Sequence, residues 1–488
     1  MEFFFIIFYF LLIIFINIYS YKKSLNDISS YTLGTRSLNF ISTALSVFSS
    51  DLSGWLLMGF PGMVYLIGIK SIWIILGLII GSFLNYSIIA PRFSTYTKIL
   101  NSFTFSDYLK NRFEYNFLST LSSIIIFIFF SIYVSSGIIA GGKLLYSAFQ
   151  IRYKFGLVII SIIIALYTFF GGFLSISSID VIQGLTVLLS LMIITFVSMH
   201  QLGGFYNIFQ SIPKNKLIFF KKKYISYIIS LLSWGLGYFG QPHILTRFMA
   251  IRSIKDLKKS RNLGIFSMII SMLSSMIIGL ISISYFKTNK KKINTESIFI
   301  ILNRKLFNPI FIGLFLSCMI VAIINSTSSQ VLVNSNNLLK GIYENFFFKK
   351  SECKKKNDKK LLNIGRILVL FSTLFSLILS FFLKKNILDV VSYAWAGFGS
   401  SFGPIVLYSL YFKNINFYGA ISGIISGTLT VLIWIFLPIS KKIYAIIPGF
   451  IVSSFSIFLI TFLTEKFIKN DNLINNFIKF EKEFNKKK

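Results

Sequence analysis

The residue that could do the most unusual chemistry in this sequence is an aspartate. Asp51 sits in Ser49-Ser50-Asp51-Leu52-Ser53-Gly54, inside a long apolar stretch. A carboxylate at mid-membrane costs roughly 2.5–3.5 kcal/mol on insertion scales, so something must offset it. A cation would do so. Hydroxyls at Ser49, Ser50 and Ser53 supply the hard oxygen ligands that an alkali cation prefers, as would carbonyls freed from a broken helix. A second polar cluster, Asn325-Ser326-Thr327-Ser328-Ser329-Gln330, interrupts another apolar run. Its hydroxyls could complete a sodium site or bridge neighbouring helices. Asp180 follows Ser175, Ser177 and Ser178 at the start of a further run, at the expected membrane edge. Two histidines, His200 and His243, and two cysteines, Cys318 and Cys353, offer neither a transition-metal cluster nor a plausible disulfide.

The elements that carry these residues must be membrane helices. Of 488 residues 55% are hydrophobic, mean hydropathy is +0.75, and only 13% are charged, against about 25% in soluble domains. Apolar runs near the roughly 20 residues that span a bilayer recur along the chain. They do not alternate as barrel strands would: Ser122 to Tyr133 reads SSIIIFIFFSIY. The sequence predicts an all-α polytopic membrane protein of thirteen spans, at roughly 2–20, 39–66, 71–90, 117–140, 156–172, 180–199, 224–246, 263–286, 308–339, 361–383, 387–411, 416–438 and 443–465. The apolar start at 2–20 reads as an uncleaved span, because residue 2 is Glu and no small-residue cleavage site follows.

The formal charge of +33 does not point to nucleic acid. Lysines sit in short blocks between apolar runs, such as 290–292 and 354–356, and no basic domain stands apart. Heavy use of Phe, Tyr, Ile, Asn and Lys is compositional and inflates lysine on both faces. Loops after the odd-numbered spans, with the C-terminal tail, hold about 30 of the 49 Lys and Arg, which puts the N-terminus outside and the tail inside. Residues 340–366 form the most basic loop, and 471–488 has the pattern of a short amphipathic helix.

Two spans break their own pattern. The second contains Ser53-Gly54, then Gly59, Pro61 and Gly62. The seventh contains Trp234-Gly235-Leu236-Gly237-Tyr238-Phe239-Gly240-Gln241-Pro242. Glycine and proline weaken helical bonding. In lipid such breaks are tolerated only against protein or a water-filled cavity. The breaks lie about 185 residues apart, each heading a block of five spans, and five is odd, so the second block is inverted. Paired broken helices in matching positions are the pointer to a transporter binding site. The expected units are 1–38, a first span and loop; 39–222 and 223–412, the inverted repeats; and 413–488, two peripheral spans and a tail. Tyr133, Trp55, Trp234 and Tyr238 near the breaks could wall a small, partly apolar zwitterion.

These broken segments also carry a resemblance. Ser50 to Gly59 (SDLSGWLLMG), Trp234 to Arg247 (WGLGYFGQPHILTR), Val391 to Pro404 and Tyr167 to Gln183 resemble the sodium/solute symporter family, in its proline branch. The resemblance implies a five-plus-five core with alternating access and sodium-coupled uptake of L-proline into a bacterial cell, without a cofactor or covalent chemistry. It implies a sodium site formed by the carbonyls of Ser49, Leu52 and Ala322 and the side chains of Asn325 and Ser326, with Asp51 beside it. It ties Asp51, Ser53, Arg36 and Asp180 to ion coupling, and Tyr133, Trp234, Tyr238 and Pro242 to the substrate, with Trp55 and Gly54 close by. The family pattern at 325–326 is Ser-Thr; this chain has Asn-Ser, an amide that can still ligate sodium, with Thr327 as an alternative ligand. Competing readings are a symporter for another amino acid or carboxylate, an ion channel, and a membrane sensor, which would want a large C-terminal signalling domain.

Overall fold

The computed structural model describes residues 28–51, 53–221, 224–286, 294–347, 354–383, 385–465 and 471–487, together with Leu11. The expected first span, Leu52, Cys353 and the lysines at 290–292 lie outside the described residues, as do the side chains of Lys354 to Lys356. Among the described residues the chain is helical, and its one β-bridge pairs Leu38 with Ile251.

The helices are α1 (Ile28–Leu33), α2 (Phe40–Asp51), α3 (Phe60–Ile67), α4 (Ile72–Leu84), α5 (Ala90–Ile99), α6 (Phe105–Phe113), α7 (Asn116–Phe149), α8 (Tyr153–Gln201), α9 (Gly204–Ser211), α10 (Ile225–Leu232), α11 (Pro242–Ala250), α12 (Ile254–Tyr285), α13 (Ile298–Leu306), α14 (Pro309–Leu338), α15 (Lys354–Phe382), α16 (Ile387–Tyr411), α17 (Phe417–Phe436), α18 (Ile446–Thr464) and α19 (Asp471–Lys487). Side-chain caps fix several starts: Thr104, Ser253, Asn308 and Asn416 accept from the first-turn amides of α6, α12, α14 and α17.

Among the described residues nine helical stretches are long and apolar enough to cross a membrane. Two of them, of 45 and 49 residues, are long enough for two crossings. The helix α8 has 49 residues, which at 1.5 Å each is about 74 Å against a core of about 30 Å. It is broken at Gly172, whose φ of 65° and ψ of −178° suit glycine. The stretch Trp55–Ile99 is likewise turned at Gly68, with φ of 71°. The seventh expected span is only Ile225–Gly240 as a continuous apolar helix, because Gln241 leaves helical geometry. Large side chains face outward on the peripheral helices; Phe436 is 87% exposed. In water so much exposed apolar surface would be a liability; in a bilayer it is the solvated face.

The stretch 340–366, expected as a basic loop, is instead largely helical. A π-helical turn runs through Leu339–Tyr343, and α15 begins at Lys354. Lysine is a good helix former, so a spanning helix can continue into water. The tail does form a helix, α19, with Phe477, Phe480 and Phe484 buried.

Both expected breaks exist. The helix α2 ends at Asp51, and a π-helical turn, Trp55–Gly59, leads into α3. In the second, α10 passes into a tight 3-10 stretch, Ser233–Gly240, before Pro242 starts α11. Glycine is required there: a Cβ on Gly81 would overlap the Gly235 carbonyl, and one on Gly237 would overlap the Trp395 indole. The break is wedged between α4 and α16. The helices beside the two breaks, α2 and α11, are also tied together, since Leu38, just before α2, bonds Ala250 and Arg252 around the end of α11 at 3.1 and 3.0 Å.

Candidate functional site

Each break leaves carbonyls that no helix satisfies, and an indole answers one in each. Trp55 Nε1 donates to the Asp51 carbonyl at 2.9 Å, and Trp395 Nε1 donates to the Trp234 carbonyl at 2.7 Å. The first indole closes back on its own span. The second comes from α16 and joins the break to another helix.

The Asp51 carboxylate points across to the second break. Its Oδ2 accepts from the Tyr238 hydroxyl at 2.5 Å, whereas Oδ1 is buried with no hydrogen-bond partner. A small cavity of about 20 Å³ adjoins it, lined by Val47, Phe48, Ser82, Tyr86, Gly264 and Met268. One hydroxyl does not neutralise a carboxylate, so the free oxygen is a standing acceptor for a cation.

The polar cluster of α14 does not meet Asp51. It meets Asp180, which is fully buried. Asn325 Nδ2 donates to Asp180 Oδ1 at 2.6 Å, and Tyr167 donates to Asn325 Oδ1 at 2.7 Å. Ser46 and Arg247 donate to Asp180 Oδ2 at 2.5 and 3.2 Å. Arg247 also reaches Ser329 at 2.6 Å and the Ser46 carbonyl at 3.1 Å. Ser49 Oγ donates to the Asp180 carbonyl at 2.7 Å, which brings α2, α8, α11 and α14 to one point. Ser326 and Thr327 bond back to the carbonyls of Ala322 and Ile323 at 2.8 and 2.6 Å. Such i−4 bonds are interchangeable with ligation, since the hydroxyl oxygen keeps its lone pairs. Ser53 lies at the break, its Oγ accepting from Trp55 N at 3.4 Å. Gly54 packs where a Cβ would overlap Ala140.

The expected ion-site residues therefore fall into two groups, one around Asp51 and one around Asp180. Arg36 belongs to neither. Its guanidinium donates to the carbonyls of Thr97 and Ser102 at 3.0 and 2.7 Å, where it closes the end of α5.

The aromatic residues do converge. Tyr238 meets Trp395 edge-on at 5.2 Å, and Trp234 stacks between Trp395 and Tyr444 at 6.4 and 5.2 Å. Tyr133, on α7, meets the His243 ring edge-on at 5.8 Å. Pro242 starts α11 and receives Thr246 on its carbonyl at 2.7 Å. The Tyr133 hydroxyl, both nitrogens of His243 and both side-chain polar atoms of Gln241 are buried without a hydrogen-bond partner among the described residues. An unpaired buried polar group costs about 1–3 kcal/mol. Several around one pair of breaks mark a place shaped for something else.

Sequence reasoning missed Arg247, Trp395, Tyr167 and Gln241 as members of this constellation. Arg247 had a legible signal, a lone charge in an apolar block. Trp395 had none that separates it from the chain's many aromatics.

A helical membrane bundle with two broken spans facing each other around a buried carboxylate defines a secondary transporter. The chain belongs to the sodium:solute symporter family, whose model matches residues 31–427. It is an integral membrane transporter and not an enzyme. It is 42% identical over 467 residues to the osmoregulated proline transporter OpuE of Bacillus subtilis, covering 94% of each chain. It is 40% identical over 480 residues to the sodium/proline symporter of Staphylococcus aureus, covering 95% of this chain and 93% of that one. A Na+-coupled sialic acid symporter in a substrate-bound, outward-open state has the same fold, with a TM-score of 0.78 at 17% identity over 96% and 98% of the two chains. A nucleobase-cation-symport-1 family transporter in a closed conformation superposes with a TM-score of 0.54 at 12% identity, over 92% and 98%.

Proposed function

We propose that this protein imports L-proline together with sodium by alternating access. The observation that carries the coupling is the Asp51 carboxylate, which has one neutral partner and one free oxygen. Sodium entering from outside binds at the break of α2, held by the carbonyls of Ser49, Leu52 and Ala322 and by the side chains of Asn325 and Ser326, with Asp51 as the nearby negative charge. Ser53 and Asp180 support the ion half, and Arg36 secures the loop before α2. Because Asp51 also holds Tyr238, cation binding bears directly on the opposite break. Trp234, Tyr238, Pro242 and Tyr133, with Trp55 and Gly54 beside them, form the wall for the proline ring, and amides freed at the break of α2 take its carboxylate.

The proposed architecture is thirteen spans, with repeats at 39–222 and 223–412 in opposite orientation, in the bacterial inner membrane. The turns at Gly68 and Gly172 support the span division, because each splits a stretch too long for one crossing. The distribution of Lys and Arg supports an external N-terminus and a cytoplasmic tail. One sodium crossing 100 mV supplies about 2.3 kcal/mol, enough for roughly 50-fold accumulation of a neutral solute.

Uptake of radiolabelled proline into proteoliposomes tests the proposal. An inward sodium gradient should raise the initial rate and the final level many-fold. Full-rate uptake without sodium removes the coupling, and uptake of other amino acids in preference to proline removes the substrate.

A further inference from the structure

Away from the two breaks, a crevice of about 610 Å³ opens between the helical turn Asn85–Ile89 with the start of α5 and the start of α12. Four cations line it: Arg92, Lys255, Lys258 and Arg261. No carboxylate does. Arg92 is answered by Glu481 of α19 and lies over the Tyr411 ring at 4.2 Å. The other three meet no anion among the described residues. Lys255, Lys258 and Arg261 recur every three residues and so share one face of α12. Arg261 is held in place by neutral partners only, donating to Ser87 at 3.2 Å and lying 4.8 Å over the Phe83 ring. Asp256, the nearest acid in sequence, faces away to Arg252 at 2.6 Å.

The rest of the lining is apolar. Ile88, Pro91, Ile254 and Leu257 form the walls, and Phe484 of the tail helix closes one side. Above the crevice, Ile80 and Phe83 continue the Ser87 face of α4 and are exposed, as lipid-facing residues are. The site thus has a cationic end without counter-ions and an apolar end that runs out onto the lipid-facing surface. Free phosphate would use only the first end. A phospholipid uses both, its phosphate among the cations and its acyl chains along Ile80 and Phe83. Basic pockets between membrane helices on the cytoplasmic side take anionic headgroups in this way.

We infer that this crevice binds one anionic phospholipid of the inner leaflet, with its phosphate held by Lys255, Lys258 and Arg261. The inference uses the cytoplasmic placement of this end and is independent of which solute is carried. A bound lipid would bridge α12 to α4–α5 beside the docked tail helix.

The test uses the full-length protein in nanodiscs of phosphatidylethanolamine with a minor fraction of phosphatidylglycerol, with retained lipid counted by native mass spectrometry. The wild type should retain one phosphatidylglycerol. Neutralising the triad together, K255Q/K258Q/R261Q, should weaken retention about 100-fold, from about a factor of five per cation near a membrane surface. Lys258→Glu alters one exposed side chain, keeps the fold, changes the charge by two, and should weaken retention about 25-fold. As a charge-matched comparison, K305Q/K359Q/K360Q removes three exposed cations away from the crevice and should leave retention unchanged. Equal loss in this comparison would make the binding bulk electrostatics and overturn the site. Unchanged retention in Lys258→Glu would overturn it as well. If millimolar inorganic phosphate displaces the lipid completely, the acyl chains contribute nothing, the occupant is a free anion and the lipid assignment fails.

Discussion

Asp180 and Asp51 are both buried carboxylates in the first half of the chain, yet they keep different company. Asp180 accepts from Ser46, Asn325 and Arg247, and the guanidinium beside it is itself bonded to Ser329 and to two carbonyls. Its charge is compensated inside the protein. Asp51 accepts from one tyrosine and keeps one oxygen free. A buried charge that is paired and bonded is structural; one that is not must find its cation elsewhere. The comparison separates two tasks the sequence alone could not divide. Asp180 clasps α8 to α11 and α14, and Asp51 is the carboxylate left for the ion in the proposed function.

The largest expected effect follows from breaking the clasp. Asp180→Ala leaves Arg247 buried with no counter-charge, which costs about 3–5 kcal/mol. The protein should reach the membrane in low amount and lose monodispersity in detergent. Removing the arginine charge as well, in Asp180→Ala with Arg247→Gln, should recover part of that loss, and thermal melts of the wild type, the two single variants and the double variant measure it. If Asp180→Ala melts as the wild type does, Asp180 is not a clasp. Asp51→Asn is the matching experiment on the other side. It keeps the side chain's shape and can still bond Tyr238, so stability should change by under about 1 kcal/mol, the worth of one hydrogen bond. Sodium-driven uptake should fall at least about 100-fold, equivalent to about 2.7 kcal/mol. Wild-type uptake in Asp51→Asn would remove that carboxylate from the ion site.

How much of this was legible depended on distance along the chain. Asp51 announced itself because a charge within an apolar run has no cheap explanation. The breaks announced themselves because glycine and proline change backbone chemistry locally, and α19 did so through its amphipathic spacing. The Asp180–Arg247 pair joins residues in different helices, and no local pattern encodes a contact made by packing. For the same reason the bond from the Asn325 amide to Asp180 was not legible from sequence. Arg36 could be placed near the second span from sequence, but its duty at the end of α5 could not. The expected spans 39–66 and 71–90 part around Gly68, and 156–172 ends at Gly172, the two glycines where the helices turn.

The two breaks also differ in how tightly they are held, and Gly81→Ala tests the tighter one. The added methyl would overlap the Gly235 carbonyl, so α4 and the 3-10 stretch must separate. Overpacking of this kind costs about 1–3 kcal/mol, read as a lower melting temperature. An unshifted melt would mean that the stretch can slide freely, contrary to its wedged position between α4 and α16.

The smallest and most informative effect concerns the two indoles. Trp55→Phe and Trp395→Phe each keep a ring and delete one donor, leaving the Asp51 or the Trp234 carbonyl short of a bond at a cost of about 1 kcal/mol. Stability should respond alike in the two variants, but transport should not. The Asp51 carbonyl belongs to the residue proposed to attract the ion, so Trp55→Phe should raise the sodium concentration for half-maximal uptake several-fold, with the proline KM little changed. Trp395 also packs against Tyr238 and Trp234, so Trp395→Phe should raise the proline KM several-fold, with the sodium dependence little changed. Uptake measured over a grid of both concentrations resolves the two parameters. If both variants move the same one, the division into an ion-holding break and a solute-walling break fails, and the Asp51–Tyr238 hydrogen bond has to be read as fusing them into one site.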